Sequence, residues 1–184
     1  HADVKTDVQS NNTKNDNKEA IYISNAGLIL LHPFLAMLFE QLELTVDNEW
    51  INTDAQTKAV LILEYLVTGK DEHEEFDLVL NKLLCGLQPD DIVQTDLLID
   101  ESIKNECEDL LKEVIMHWNA LKNTGIDALR ETFLQHNGKL SQVDTGWLLI
   151  AEQKSTDILL GYLPWGFGVV KLPWMKDIIH TDWC

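Results

Sequence analysis

The sequence predicts a mainly helical α+β fold, with about five to six helices and a small antiparallel sheet formed by the C-terminal third. Three observations predict it. Apolar residues recur at helical spacing through the middle of the chain. The period changes, with a hairpin turn signature, after Gly138. The balance of 45% hydrophobic and 24% charged residues in 184 is that of a folded domain rather than a fibre or a disordered chain. A chain of this length can bury roughly two-thirds of its unfolded surface in one core.

Residues 1–20 hold Asn11, Asn12, Asn15 and Asn17 among Asp, Lys, Ser and Thr, with hardly an apolar residue after Val8. They are expected to be a disordered linker, and residues 21–184 a single globular domain. A chain that starts at His1 with such a linker is expected to be the C-terminal piece of something longer. Ile21 to Ile23 reads as a short strand. Ser24 and Asn25 are good N-cap residues, and Leu28 to Leu42 is apolar enough for a buried helix that Pro33 restarts or kinks. A second helix starts at Thr53, which with Gln56 forms a capping box, and stops at Gly69. Asp71, Glu72, Glu74, Glu75 and Asp77 surround His73 in an acidic loop, followed by a short helix from about Phe76 to Cys85.

The clearest amphipathic helix follows Asp100, where Ile103, Cys107, Leu110, Leu111, Val114, Ile115 and Trp118 fall on one stripe. Thr124 and Asp127 start another that runs through Gln135. Then the period changes. Lys139 to Val143 and Trp147 to Glu152 flank Asp144, Thr145 and Gly146, which is a hairpin signature. A short helix from about Thr156 to Tyr162 leads to Phe167 to Leu172, a candidate third strand.

Composition narrows the function. Thirty-one acidic against fourteen basic residues give a net charge of -17, and Arg130 is the only arginine. Phosphate binding needs clustered Lys and Arg, so nucleic acid is not the expected partner. No apolar run reaches the roughly 18 residues of a membrane span. Cys85, Cys107 and Cys184 are widely spaced and lack a Cys-x-x-Cys, so buried thiols and assembly in a reducing cytoplasm are expected.

No motif of catalysis is present: the chain lacks a Walker loop, a dinucleotide fingerprint, a nucleophile elbow and the two-histidine zinc helix. The acidic loop lacks the alternating ligands and turn glycine of a calcium site. Glu113 and His117, four apart, read as a surface pair. His32, in an apolar run, reads as a hydrogen-bonded core histidine, and His117 and His180 have the same bland reading. No catalytic, cofactor-binding or metal-ligating residue is expected.

The residues hardest to explain as filler lie between Leu163 and Met175, where Leu-Pro-Trp occurs twice. Two of the four prolines and two of the six tryptophans sit there on backbone that proline stiffens. Trp165, Phe167, Lys171, Trp174 and Met175 are the candidate partner contacts. The competing assignment packs Trp165, Phe167 and Trp174 onto the helix that carries Leu110, Val114 and Trp118.

Six stretches together carry a resemblance: Ile21 to Leu31, Glu64 to Gly69, Leu78 to Gly86, Trp118 to Thr124, Leu129 to Leu134 and Leu163 to Met175. In content and order they are similar to the tape measure proteins of contractile injection systems, the phage-tail-like particles with which bacteria deliver toxins. The resemblance implies a non-catalytic part of a particle, assembled in the cytoplasm, in a protein that helps set the length of inner tube and sheath. It also implies a further N-terminal region with basic and amphipathic stretches, which this sequence does not contain. One continuous helix of all 184 residues spans only about 280 Å, so this piece is expected to be an anchoring domain rather than the ruler. Inner tube, hub and spike or baseplate proteins are the implied partners, and the threefold symmetry of the spike implies a homotrimer. The motif residues Asn25, Gly27, Asn81, Asn123 and Thr124 are expected to cap helix ends or allow close packing. Acidity by itself suggests a different class, an inhibitor or immunity-type protein that masks a basic partner.

Overall fold

The computed structural model describes residues 19–72, 74 and 78–183. Strand β1 (Ile21–Ile23) leads into a buried 3₁₀ segment, Ala26–Leu31, and then α1 (His32–Gln41). Pro33 sits in the first turn of α1, where a missing N–H costs no helical bond. The helix restarts at the proline as expected, and its first piece is a 3₁₀ segment. Strands β2 (Thr45–Val46) and β3 (Glu49–Trp50) form a hairpin around Asp47 and Asn48. Both turn residues have positive φ, 51° and 63°, as a tight hairpin with the right twist requires.

Helix α2 (Thr53–Thr68) runs through the centre, and every residue from Ala59 to Val67 is buried. Its cap lies one residue before the expected one: Asn52 Oδ1 accepts from the Ala55 N–H at 2.8 Å. Gln56 reaches instead to the Cys85 carbonyl, 2.8 Å away. Gly69 ends the helix at φ 68°. The carbonyls of its last turn are capped from outside. Arg130 Nε donates to Leu66 at 3.0 Å and Gln135 Nε2 to Val67 at 3.1 Å. The only arginine thus places its charge at the negative end of the central helix, over the Tyr65 ring.

Helix α3 (Val79–Leu84) is shorter than expected. Phe76 lies outside the described residues, with His73, Glu75 and Asp77 of the acidic loop, residues 1–18 of the expected linker, and Cys184. Helix α4 (Glu101–His117) begins at an Asp100 cap, whose carboxylate accepts from Ile103 N at 2.9 Å, and buries its apolar stripe as predicted. The helix expected from Thr124 is instead α5 (Ile126–Leu129), entered through Gly125 and continued by a π turn, Arg130–Leu134. The wider π turn aligns residues five apart, bringing Arg130 and Gln135 to the same end of α2.

The hairpin strands are β4 (Gly138–Val143) and β5 (Gly146–Ala151), joined at Asp144 and Thr145. A 3₁₀ segment, Ser155–Tyr162, and the Leu-Pro-Trp stretch then lead through β6 (Val169–Val170) to β7 (Ile178–Asp182). The sheet order is β1-β4-β5-β7-β6. The α+β class and the C-terminal strands hold, with two differences. β5 and β7 run parallel, so the sheet is mixed, and β1 adds an edge from the other end of the chain. Alternation sorts the faces. Trp147, Leu149 and Ala151 are buried, while Leu148 and Ile150 are half-buried on the outer side.

Cys85 and Cys107 are buried free thiols. Burial raises the Cys85 thiol well above its usual range and pushes Cys107 up to about 12, so both stay protonated and unreactive. Among the described residues no helix is long and apolar enough to cross a membrane.

Candidate interaction surface

The stretch from Leu163 to Met175 lies as a strap over the helices, pinned at both tryptophans. Trp165 Nε1 donates to the Leu30 carbonyl at 2.8 Å, at the end of the first 3₁₀ segment. Trp174 Nε1 donates to the Leu84 carbonyl at 2.7 Å, at the end of α3. Each indole thereby satisfies a carbonyl at a helix terminus. Both rings are half-buried, and neither takes the expected ring partner on α4. Trp165 meets Phe34 of α1 edge-on, with centroids 5.1 Å apart. Trp174 completes a three-ring cluster with Phe39 and Trp50 at 5.7 and 5.0 Å. Phe167, half-buried, stands edge-on to Trp183. Trp118 pairs with Phe133 and donates to the Leu159 carbonyl.

Of the other candidates, Lys171 is exposed and Met175 is buried, with its sulfur 3.1 Å from the Leu172 amide. The strap is also held by His32, whose Nε2 lies 2.6 Å from the Gly166 carbonyl. Burial lowers the His32 pKa and the Gly166 bond opposes that shift, so the ring is neutral at pH 7 and donates from Nε2. His32 is hydrogen-bonded as expected, but half-buried under the strap rather than in the core. His180 meets the Thr145 hydroxyl at 3.0 Å, and His117 is exposed.

The motif residues split. Gly27 is required by space, because a Cβ there falls 1.7 Å from the Phe133 carbonyl oxygen. Asn25 and Asn81 were expected as caps; they form a buried cluster instead. Asn25 Nδ2 donates to Asn81 Oδ1 at 2.7 Å and to Glu64 Oε2 at 3.1 Å. Asn81 Nδ2 donates to the same Glu64 oxygen at 3.2 Å and to the Val60 carbonyl. Both amides donate to one carboxyl oxygen inside the core and tie the 3₁₀ segment, α2 and α3 together. Glu64 was not singled out from the sequence, although a lone carboxylate inside the apolar run of α2 is the signal that marks it. Asn123 is exposed and Thr124 half-buried, and neither caps α5.

Phe34, the ring partner of Trp165, also lines a groove of about 390 Å³ between α1 and α4. Its floor is Phe34, Met37, Leu38 and Leu110, and its α4 side carries Glu106, Asp109 and Glu113. No single stretch of sequence announces it, because it exists only where two helices meet.

No curated protein and no solved structure matches the chain. Residues 1–183 match the family model described as "Contractile injection system tape measure protein". That match takes in the strap, the polar cluster and both sides of the groove, and the chain belongs to the contractile injection system tape measure protein family.

Proposed function

We propose that this chain serves its particle by docking rather than by measuring, anchoring the tape measure at the baseplate and spike end of the tube. One observation carries the reading. The longest helices among the described residues, α2 and α4, have 16 and 17 residues, about 24 and 26 Å, and they pack against each other. A ruler works through contour length, and these residues fold theirs away. What they offer a particle is a shaped surface.

In this reading the inner tube, hub and spike proteins are the partners. The outer side of the strap, with Trp165, Phe167, Lys171 and Trp174, is a contact surface that Met175 supports from beneath. The role is structural and non-catalytic. The domain folds in the cytoplasm and is then built into the particle, and a threefold spike would take three copies. Family membership supports this reading over an inhibitor that masks a basic toxin. The test is capture by the full chain of the tube, hub and spike proteins encoded with it. Retention of at least one is expected, and retention of none would remove the docking role.

A further inference from the structure

We infer that the groove between α1 and α4 is the seat of a basic amphipathic helix donated by another protein of the particle. This rests on the docking role proposed above and names the surface and the chemistry of its partner.

The geometry is that of two helices waiting for a third. Phe34, in the first turn of α1, lies 6.2 Å from His117 at the end of α4. The groove continues from there to Gln41 and Glu106, so the helices run antiparallel along it. α1 lines it with Pro33, Phe34, Met37, Leu38 and Gln41, and α4 with Glu106, Asp109, Leu110 and Glu113. Each set follows the three- and four-residue spacing that exposes one stripe of a helix. A third helix with apolar residues at the same spacing would bury that floor and complete a three-helix arrangement. The floor is open. Met37 is 63% exposed, in a cleft large enough for two or three apolar side chains.

Charge selects the occupant. Every charged residue lining the groove is a carboxylate, Glu106, Asp109 or Glu113, at three- and four-residue spacing along α4. Among the described residues no lysine or arginine forms an ion pair with them. A second copy of this chain, with a net charge of -17, would bring carboxylates against carboxylates. A helix with Lys or Arg beside its apolar stripe would pair with that row while its apolar side chains fill the floor. Phe34, which lines the seat, meets Trp165 edge-on and so links it to the strap.

The probe is a synthetic helical peptide of about 18 residues with a leucine stripe flanked by lysines, long enough to match α4. Its binding to the full chain is followed by fluorescence anisotropy, and its footprint by amide hydrogen exchange. Binding is expected to protect α1 and α4. It should weaken at least about tenfold in the combined variant Glu106→Lys, Asp109→Lys, Glu113→Lys, whose thermal melt checks that it is folded. It should also weaken in Met37→Gln, which makes the floor polar without changing the charge of the groove. A leucine-glutamate peptide, and a lysine peptide with the stripe scrambled, should bind poorly. Absence of binding, equal binding by the scrambled peptide, undiminished binding to the combined variant, or protection elsewhere would each overturn the inference. The docking role is judged separately. If the combined variant captures tube, hub or spike protein as well as the unaltered chain does, the groove inference falls and the docking role stands; if the unaltered chain captures none, the docking role falls.

Discussion

The two Leu-Pro-Trp triplets are identical in sequence and differ in what surrounds them. Both indoles donate to a carbonyl at the end of a helical segment. Trp174 then packs, half-buried, into a cluster with Phe39 and Trp50, and its own carbonyl oxygen lies only 2.4 Å from where a Cβ on Gly86 would stand. Trp165 leans on Phe34, itself part of the lining of an open, acid-lined groove. The same three residues thus build a rivet into a three-ring cluster at one end of the strap and, at the other, a prop against Phe34 of the proposed seat. A tryptophan's role follows from its neighbours and not from its motif.

Substitutions can break that contrast. The largest effect is expected for Trp174→Ala, which removes a cluster ring and a hydrogen bond and should cost about 3–5 kcal/mol, read as a lowered denaturant midpoint. If Trp165→Ala lost as much and Trp174→Ala little, the assignment of rivet and prop would be reversed. Next is Gly86→Ala. Its φ of 82° and the near contact with the Trp174 carbonyl should cost about 1–3 kcal/mol, whereas Gly166→Ala, with open space around it, should change stability little. Equal losses at the two glycines would argue against tight packing at the Trp174 end. Smaller again is Trp165→Phe, which keeps a ring against Phe34 but leaves the Leu30 carbonyl without its donor, a loss of about 1 kcal/mol. Its larger consequence should be on partner capture. A variant that kept full capture would show the Trp165 end to be mere scaffold.

The smallest effect is a pH dependence at the Trp165 end. His32 holds Gly166 as a neutral ring with a pKa below its ordinary value. The unfolded chain therefore binds the proton more readily, so this contribution is present above about pH 6.5 and lost as pH falls through the folded pKa. Thermal melts of the native chain and of His32→Asn should diverge less at pH 5.5 than at pH 7.5. A constant difference would show that His32 does not titrate with folding.

Much of the fold was legible where one stretch of chain decides its own structure. The stripe from Ile103 to Trp118 repeats often enough to fix a period, the hairpin of Lys139 to Val143 and Trp147 to Glu152 is marked by its Asp144, Thr145 and Gly146 turn, and both were found within a residue of their expected bounds. Short pieces were not legible. The β2–β3 hairpin has two residues per strand, and only its Asp47-Asn48 turn could have marked it. β7 was missed because its partner β5 is parallel and lies more than twenty-five residues earlier. The candidate surface was legible only in part. The strap announced itself by proline and tryptophan, but its footing on α1 and α3 did not. The Asn25, Glu64 and Asn81 cluster joins three elements, and the groove is a relation between two helices, so neither has a local pattern. Even the caps moved by a residue, since Asn52 and Thr53 are both good cap residues and only packing of Gln56 toward Cys85 chooses between them.

The central claim, that these residues dock rather than measure, is tested most directly by particle length. Residues should be inserted at the exposed connection around Gln94 and Asp96, outside every helix and strand and away from strap and groove, and tube lengths measured by electron microscopy. Tubes of unchanged length are expected. Tubes that lengthen in proportion to the insert, by about 1.5 Å for each residue added, would make this domain part of the ruler and contradict the account.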